Sequence, residues 1–110
     1  MIEAFTAEEA IYSTFGDDPD LGELVEMFVD EMSDRVDTLL KYSTEEDWEA
    51  LQRTAHQIKG AAGSYGFAQI TTLAGRLEEV LRSSEPEDTM KASLDDLVSL
   101  CRRIRSGVAS

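Results

Sequence analysis

The chain has 110 residues, 42% hydrophobic and 30% charged, with one histidine, one cysteine and a net charge of −13. That length holds one domain with one core, and the apolar content is too high for wholesale disorder. The charge argues against nucleic acid, a lone His and a lone Cys make no zinc set, and no apolar run approaches the ~18 residues of a membrane span.

Met1 to Asp20 lacks the basic and apolar regions of a signal peptide, and Cys101 has no internal disulfide partner, so a cytoplasmic protein is the expectation. Thr6-Ala7-Glu8-Glu9 fits a capping box, and Ile11 and Phe15 share a face. This predicts a short first helix over 6–15, ended by Gly16. Asp17-Asp18-Pro19-Asp20 then opens a second helix, with Asp18 as N-cap and Pro19 in the first helical position. A calcium loop fits less well, because Pro19 falls on a ligand position. Leu21, Leu24, Val25, Phe28, Met32, Val36, Leu39 and Leu40 recur at three- and four-residue steps, which predicts one long amphipathic helix over about 19–42. Its outer face is acidic.

Ser43-Thr44 breaks that helix, and Thr44-Glu45-Glu46-Asp47 signals the next, over about 45–64. A fourth helix over about 67–83 carries Ile70, Leu73, Ala74, Leu77, Val80 and Leu81 on its stripe. After the Ser83-Ser84-Glu85-Pro86 turn, a fifth over about 87–105 has Met90, Leu94, Leu97, Val98, Cys101 and Ile104 at core spacing. Cys101 reads as a small core hydrophobe there. No strand-like alternation occurs. The expected fold is all-α: one domain over 1–110, an antiparallel up-down four-helix bundle with the short N-terminal helix packed over one end. A looser orthogonal packing is the alternative.

His56 lies in the third helix. On a wheel at ~100° per residue with His56 at zero, Lys59 falls near roughly −60°, Gly60 near 40° and Gly63 near −20°. Leu51, Ala55, Ile58 and Ala62 fall at roughly 200–260°, on the opposite, buried face. The histidine therefore points away from the core. Two interior glycines on its own face cost up to ~1 kcal/mol each against alanine. They bare the helix for close approach, or for packing against a neighbouring helix, a use that suits Gly63 better than Gly60. Residues 1–50 carry 16 acids and 2 bases, while 51–110 carry 7 acids and 8 bases. No carboxylate lies between Glu49 and Glu78. An anion can approach that window, although chance clustering produces such windows too.

One exposed imidazole without a Ser or Cys partner, metal ligands or a phosphate-cradling loop suits few reactions. Phosphorylation of the ring is one, since neutral imidazole is a nucleophile and phosphoryl transfer demands mainly positioning and charge compensation. Lys59, one turn on, can face phosphoryl oxygens. The remaining parts must come from a partner.

The string His56-x-x-Lys59-Gly60-x-x-Gly63-x-x-Gly66 resembles the signature of histidine-containing phosphotransfer (HPt) domains of two-component phosphorelays. The Phe-Gly-Asp-Asp-Pro-Asp entry to the long acidic helix and the Ala-Gly-Arg-Leu-Glu stretch after the motif are similar to that family as well. The resemblance implies that His56 accepts the phosphoryl group through Nε2, that Lys59 neutralises it, and that Gly60 admits a receiver domain. Gly63 and Gly66 match packing and turn positions. Glu78 occupies the position whose side chain holds the ring's other nitrogen, where glutamine is a familiar choice. Arg82 flanks the site, Gln57 contacts the partner and Arg53 extends the positive surface. For Glu78 and Arg82 an ordinary exposed i, i+4 ion pair is the alternative.

The implied function is a phosphocarrier with no kinase activity and no cofactor of its own, the magnesium residing on the receiver. Its partners would be response-regulator receiver domains and a hybrid sensor histidine kinase, with no nucleic acid and no membrane. Two alternatives stand beside it. One is an excised phosphorylated domain of a chemotaxis-type histidine kinase, which the Gly-Ser-Tyr-Gly-Phe ending also resembles. The other is an unphosphorylated helical interaction module. A monomer is expected, and Met1 with a complete bundle suggests a free-standing protein.

Overall fold

Apolar residues at helical spacing supply four stripes, and in a computed structural model of the chain, which describes residues 10–107, those stripes meet in one core. The elements in order are β1 (Ile11–Tyr12), α1 (Gly22–Thr44), α2 (Trp48–Ser64), α3 (Ala68–Arg82), α4 (Glu87–Cys101) and β2 (Ile104–Arg105). Links over 45–47, 65–67 and 83–86 are too short for anything but antiparallel neighbours. α1 packs on α2 and α4, and α3 packs between α2 and α4, which closes the four-helix bundle. Val25, Leu39, Leu51, Ile58, Ile70, Leu77 and Leu97 are fully buried at its centre. Phe28 stacks on Phe67 with centroids 5.6 Å apart and tilts against Tyr65 at 5.2 Å, tying α1 to the α2–α3 corner.

Several expected boundaries move. The short helix over 6–15 does not form in its described part: Ile11–Tyr12 is a strand, a turn follows, and residues 6–9 lie outside the described residues. Ile11 and Tyr12 pair in parallel with Ile104 and Arg105, so the last helix ends at Cys101 and not near 105. That pairing joins residues far apart in sequence, which no local pattern announces. The 11–16 segment then crosses one end of the bundle. Thr14 N–H donates to the Gly66 carbonyl at 3.2 Å, and the Ser13 hydroxyl donates to the Tyr65 carbonyl. Gly66 sits at φ +83°, and a Cβ on it would collide with Ser13, Thr14 and Phe15.

The long helix starts at Gly22 and not at 19. Asp18 spends its carboxylate one turn early, accepting from Asp20 N–H at 2.7 Å and Leu21 N–H at 2.9 Å. The helix also runs through Thr44. Leu24 does not join the core stripe: with Met27 it is an exposed apolar residue of α1. Cys101 is buried as expected, and burial pushes its thiol up to about 12, so it is an inert core residue.

Candidate functional site

The site is built on α2. Asp47 caps its first turn, accepting from Ala50 N–H at 3.1 Å. Leu51, Ala55, Ile58 and Ala62 are buried, and their periodicity turns His56 outward. The His56 side chain is 65% exposed.

α3 lies alongside α2 and brings Glu78 to the ring. Glu78 Oε2 is 2.8 Å from His56 Nδ1, and Glu78 Oε1 is 2.7 Å from Lys59 Nζ. Arg82 Nη2 reaches Oε2 at 3.1 Å, while its Nη1 binds Glu79 at 2.9 Å. The Glu78 side chain is only 7% exposed. An exposed i, i+4 ion pair therefore describes Arg82 but not Glu78. Burial raises the Glu78 carboxyl, but the hydrogen bond from Lys59 outweighs it, His56 adds to that, and the net shift is downward. An ionised carboxylate only accepts, so Nδ1 must carry the ring proton. In the neutral ring Nε2 then keeps its lone pair, and no described residue bonds it.

Two features of the site differ from what the charge pattern and the helix wheel alone suggest. The stretch around His56 is free of carboxylates in sequence, but Glu78 is folded directly against the ring. Lys59 does not project freely toward an incoming group. Its ammonium rests on Glu78.

The glycines divide as their surroundings dictate. A Cβ on Gly60 would meet nothing within 4 Å, which leaves a bare patch one turn after the histidine. At Gly63 it would lie 3.3 Å from the Thr71 hydroxyl, so this glycine lets α3 approach α2. Gln57 and Arg53 are exposed on the same side of α2. Arg53 lines a polar cleft of about 320 Å³ with Glu49, Gln52, His56 and Glu78.

Sequence reasoning missed two α3 residues that lie beside Lys59. The Thr71 hydroxyl donates to the Lys59 carbonyl at 3.1 Å. Gly75, mid-helix in α3, faces the lysine stem. An interior glycine was visible in the sequence; the lysine it faces was not. Among the described residues, no group of three or more His, Cys, Asp and Glu side chains is placed to hold a metal ion. No helix there is long and apolar enough to cross a membrane.

The sequence matches the Hpt domain family over residues 23–107, a stretch that contains every candidate site residue. The Sensory/regulatory protein RpfC, from two strains of Xanthomonas campestris pv. campestris, is 26% identical over 98 residues. That alignment covers 80% of this chain and 14% of the relative, so the chain spans about one seventh of the curated proteins it matches. No solved structure matches it significantly.

Proposed function

The chain belongs to the Hpt domain family, and we propose that His56 is its phosphoacceptor. Hpt domains carry phosphoryl groups in two-component signalling and are not kinases. One observation carries the assignment of His56: the ring is exposed while Glu78 pins its Nδ1 proton at 2.8 Å, which leaves Nε2 as the outward nucleophile.

In the loading step, Nε2 attacks the phosphorus of an aspartyl phosphate on a receiver domain. The N–P bond forms as the bond from phosphorus to the aspartyl oxygen breaks, and the carboxylate leaves with that electron pair. The phosphorylated ring keeps its Nδ1 proton and gains positive charge, which the Glu78 carboxylate offsets. Unloading reverses this: a second receiver's aspartate attacks phosphorus, and the N–P electron pair returns to Nε2. Lys59 neutralises the phosphoryl oxygens by sharing its ammonium between them and Glu78. Gly60 admits the receiver, Gln57 and Arg53 meet it at the rim, Gly63 keeps α3 close behind, and Arg82 steadies Glu78. Magnesium belongs to the receiver. The domain works as a cytoplasmic monomer, since its one active face must stay open.

A second reading takes the phosphoryl group from an ATP-loaded kinase core. It is supported by the relative's printed name, Sensory/regulatory protein, and by its far greater length. One experiment tests both donors. The protein and His56→Gln are mixed with a phosphorylated receiver, or with a kinase core and ATP, and acid-labile phosphate is followed. Labelling of wild type and none of His56→Gln is expected. Labelling that survives His56→Gln overturns the assignment, and labelling by the kinase core alone selects the second donor.

A further inference from the structure

Gly75 stands in the interior of a 15-residue helix, where glycine is the least favourable residue after proline. Its backbone does not require glycine, because the positive-φ glycines among the described residues are Gly66 and Gly107. Packing against a neighbouring backbone does not require it either. Beyond α3's own backbone and its chain neighbours, one atom comes within 4 Å of the place where its Cβ would sit: Cδ of Lys59, at 3.3 Å.

The residues on either side of Gly75 hold the same lysine. Thr71, four positions earlier, donates its hydroxyl to the Lys59 carbonyl at 3.1 Å. Glu78, three positions later, takes the Lys59 ammonium at 2.7 Å. Spacings of four and three put all three residues on one helix face. Along that face α3 meets the backbone, the stem and the charged end of a single side chain. The stem therefore lies across a bare strip of helix, and the strip ends at the carboxylate that also holds His56.

We propose that Gly75 is a positioning residue for Lys59: the gap it leaves on α3 seats the lysine stem and delivers the ammonium to Glu78 beside the His56 ring. Any side chain at 75 would press on Cδ inside the ordinary 3.5–4.0 Å carbon contact distance. A methyl shifts the flexible stem slightly, whereas an isobutyl group lifts it off the helix and draws the ammonium from Glu78. The consequence for transfer rests on His56 being the phosphoacceptor. The seat of the stem then decides how far the cation travels from Glu78 to the phosphoryl oxygens.

Gly75→Ala and Gly75→Leu test this in the full chain, first without any phosphodonor. The readout is NMR titration of the Glu78 carboxyl carbon, whose charged neighbours are His56 and Lys59 from α2 and Arg82 from α3, with Glu49 and Arg53 across the cleft. In wild type the midpoint lies below the ordinary carboxylate value. Gly75→Leu moves it up, Gly75→Ala moves it up less, and neither moves it further once Lys59→Ala is present. Gly75→Ala also melts higher than wild type, because alanine favours the helix, so a better-folded protein with a looser lysine separates positioning from stability. A Glu78 midpoint unchanged in folded Gly75→Ala and Gly75→Leu overturns the proposal, as does a shift that persists in full without Lys59. In phosphotransfer assays Gly75→Leu slows exchange about two- to fivefold, the range of one partly exposed ion pair, and adds nothing to Lys59→Ala. If His56 is not the phosphoacceptor, labelling fails in every variant or survives His56→Gln, while the titration result stands.

Discussion

Burial alone would push the Glu78 carboxyl toward protonation, because a charged oxygen loses its water in the interior. Lys59 reverses that by hydrogen bond, helped by His56, and the carboxyl ends below its ordinary value of 4.5. A depressed carboxyl contributes stability that is complete above its unfolded value and is lost as pH falls through the folded one. Glu78→Gln keeps the shape and removes the charge. It should cost about 1–2 kcal/mol at pH 7, below the range for fully buried pairs because Lys59, Arg82 and His56 are themselves partly exposed. Denaturant melts should show the wild-type advantage holding from pH 7 to about 4.5 and narrowing below it. An advantage that widens on acidification would contradict the sign. The same variant reports on the ring. A glutamine amide can accept from Nδ1–H or donate to a bare Nδ1, so it no longer enforces one tautomer. Nitrogen NMR of His56 should show the Nε2–H form rising in Glu78→Gln, with slower loading by a phosphorylated receiver.

Helix α2 separates what holds it from what it offers. Its start depends on Asp47, whose carboxylate satisfies the Ala50 N–H. Asp47→Ala should cost about 1 kcal/mol and lower the melting temperature by about 4 °C or more, with transfer rates below the transition unchanged. Gly60 behaves in the opposite way, since nothing lies within 4 Å of its missing Cβ. Gly60→Gln should fold as well as wild type or better, yet lose at least about tenfold in transfer to a receiver, equivalent to ~1.4 kcal/mol of docking energy. Equal transfer rates would show that the bare patch is not where the partner lands. The outward turn of His56 was legible because the stripe of Leu51, Ala55, Ile58 and Ala62 is a local 3.6-residue signal. The start of α1 was not, because Asp18 can serve as an N-cap or close an Asx turn. Both uses draw on the same few residues, and here the turn prevails and the helix begins at Gly22. Glu78 was reached through the family resemblance. A helix wheel fixes the face of a residue but not the neighbour across the groove, and for that reason Thr71 and Gly75 went unassigned.

At the scale of the molecule, long-range pairing and charge are legible to different degrees. The ladder joining Ile11–Tyr12 to Ile104–Arg105 brings together the two ends of the described residues, yet two-residue strands carry no periodicity. The same residues read as a first helix and as the tail of the last one. Charge needs no fold to be read. Sixteen of the 23 acids lie in residues 1–50 with two bases, and six of those acids are exposed on α1. Two effects then compete as salt is added. Exposed pairs such as Arg35–Glu31, Arg82–Glu79 and Lys91–Glu87 weaken, but each contributes at most about 1 kcal/mol at low ionic strength. Self-repulsion of a net charge of −13 weakens as well, and it acts among all the acids within a Debye length, which shortens from ~30 Å at 0.01 M to ~8 Å at 0.15 M. The Glu78 cluster is screened little, because its carboxylate is buried. Repulsion should dominate, so the melting temperature should rise between about 0.01 and 0.3 M sodium chloride and then level off as the Debye length falls below the charge spacing on α1. Neutralising part of that charge with Glu23→Gln, Glu26→Gln and Asp30→Asn should raise the low-salt melting temperature and flatten the rise. A melting temperature that falls over the same range would mean that the exposed ion pairs outweigh the repulsion.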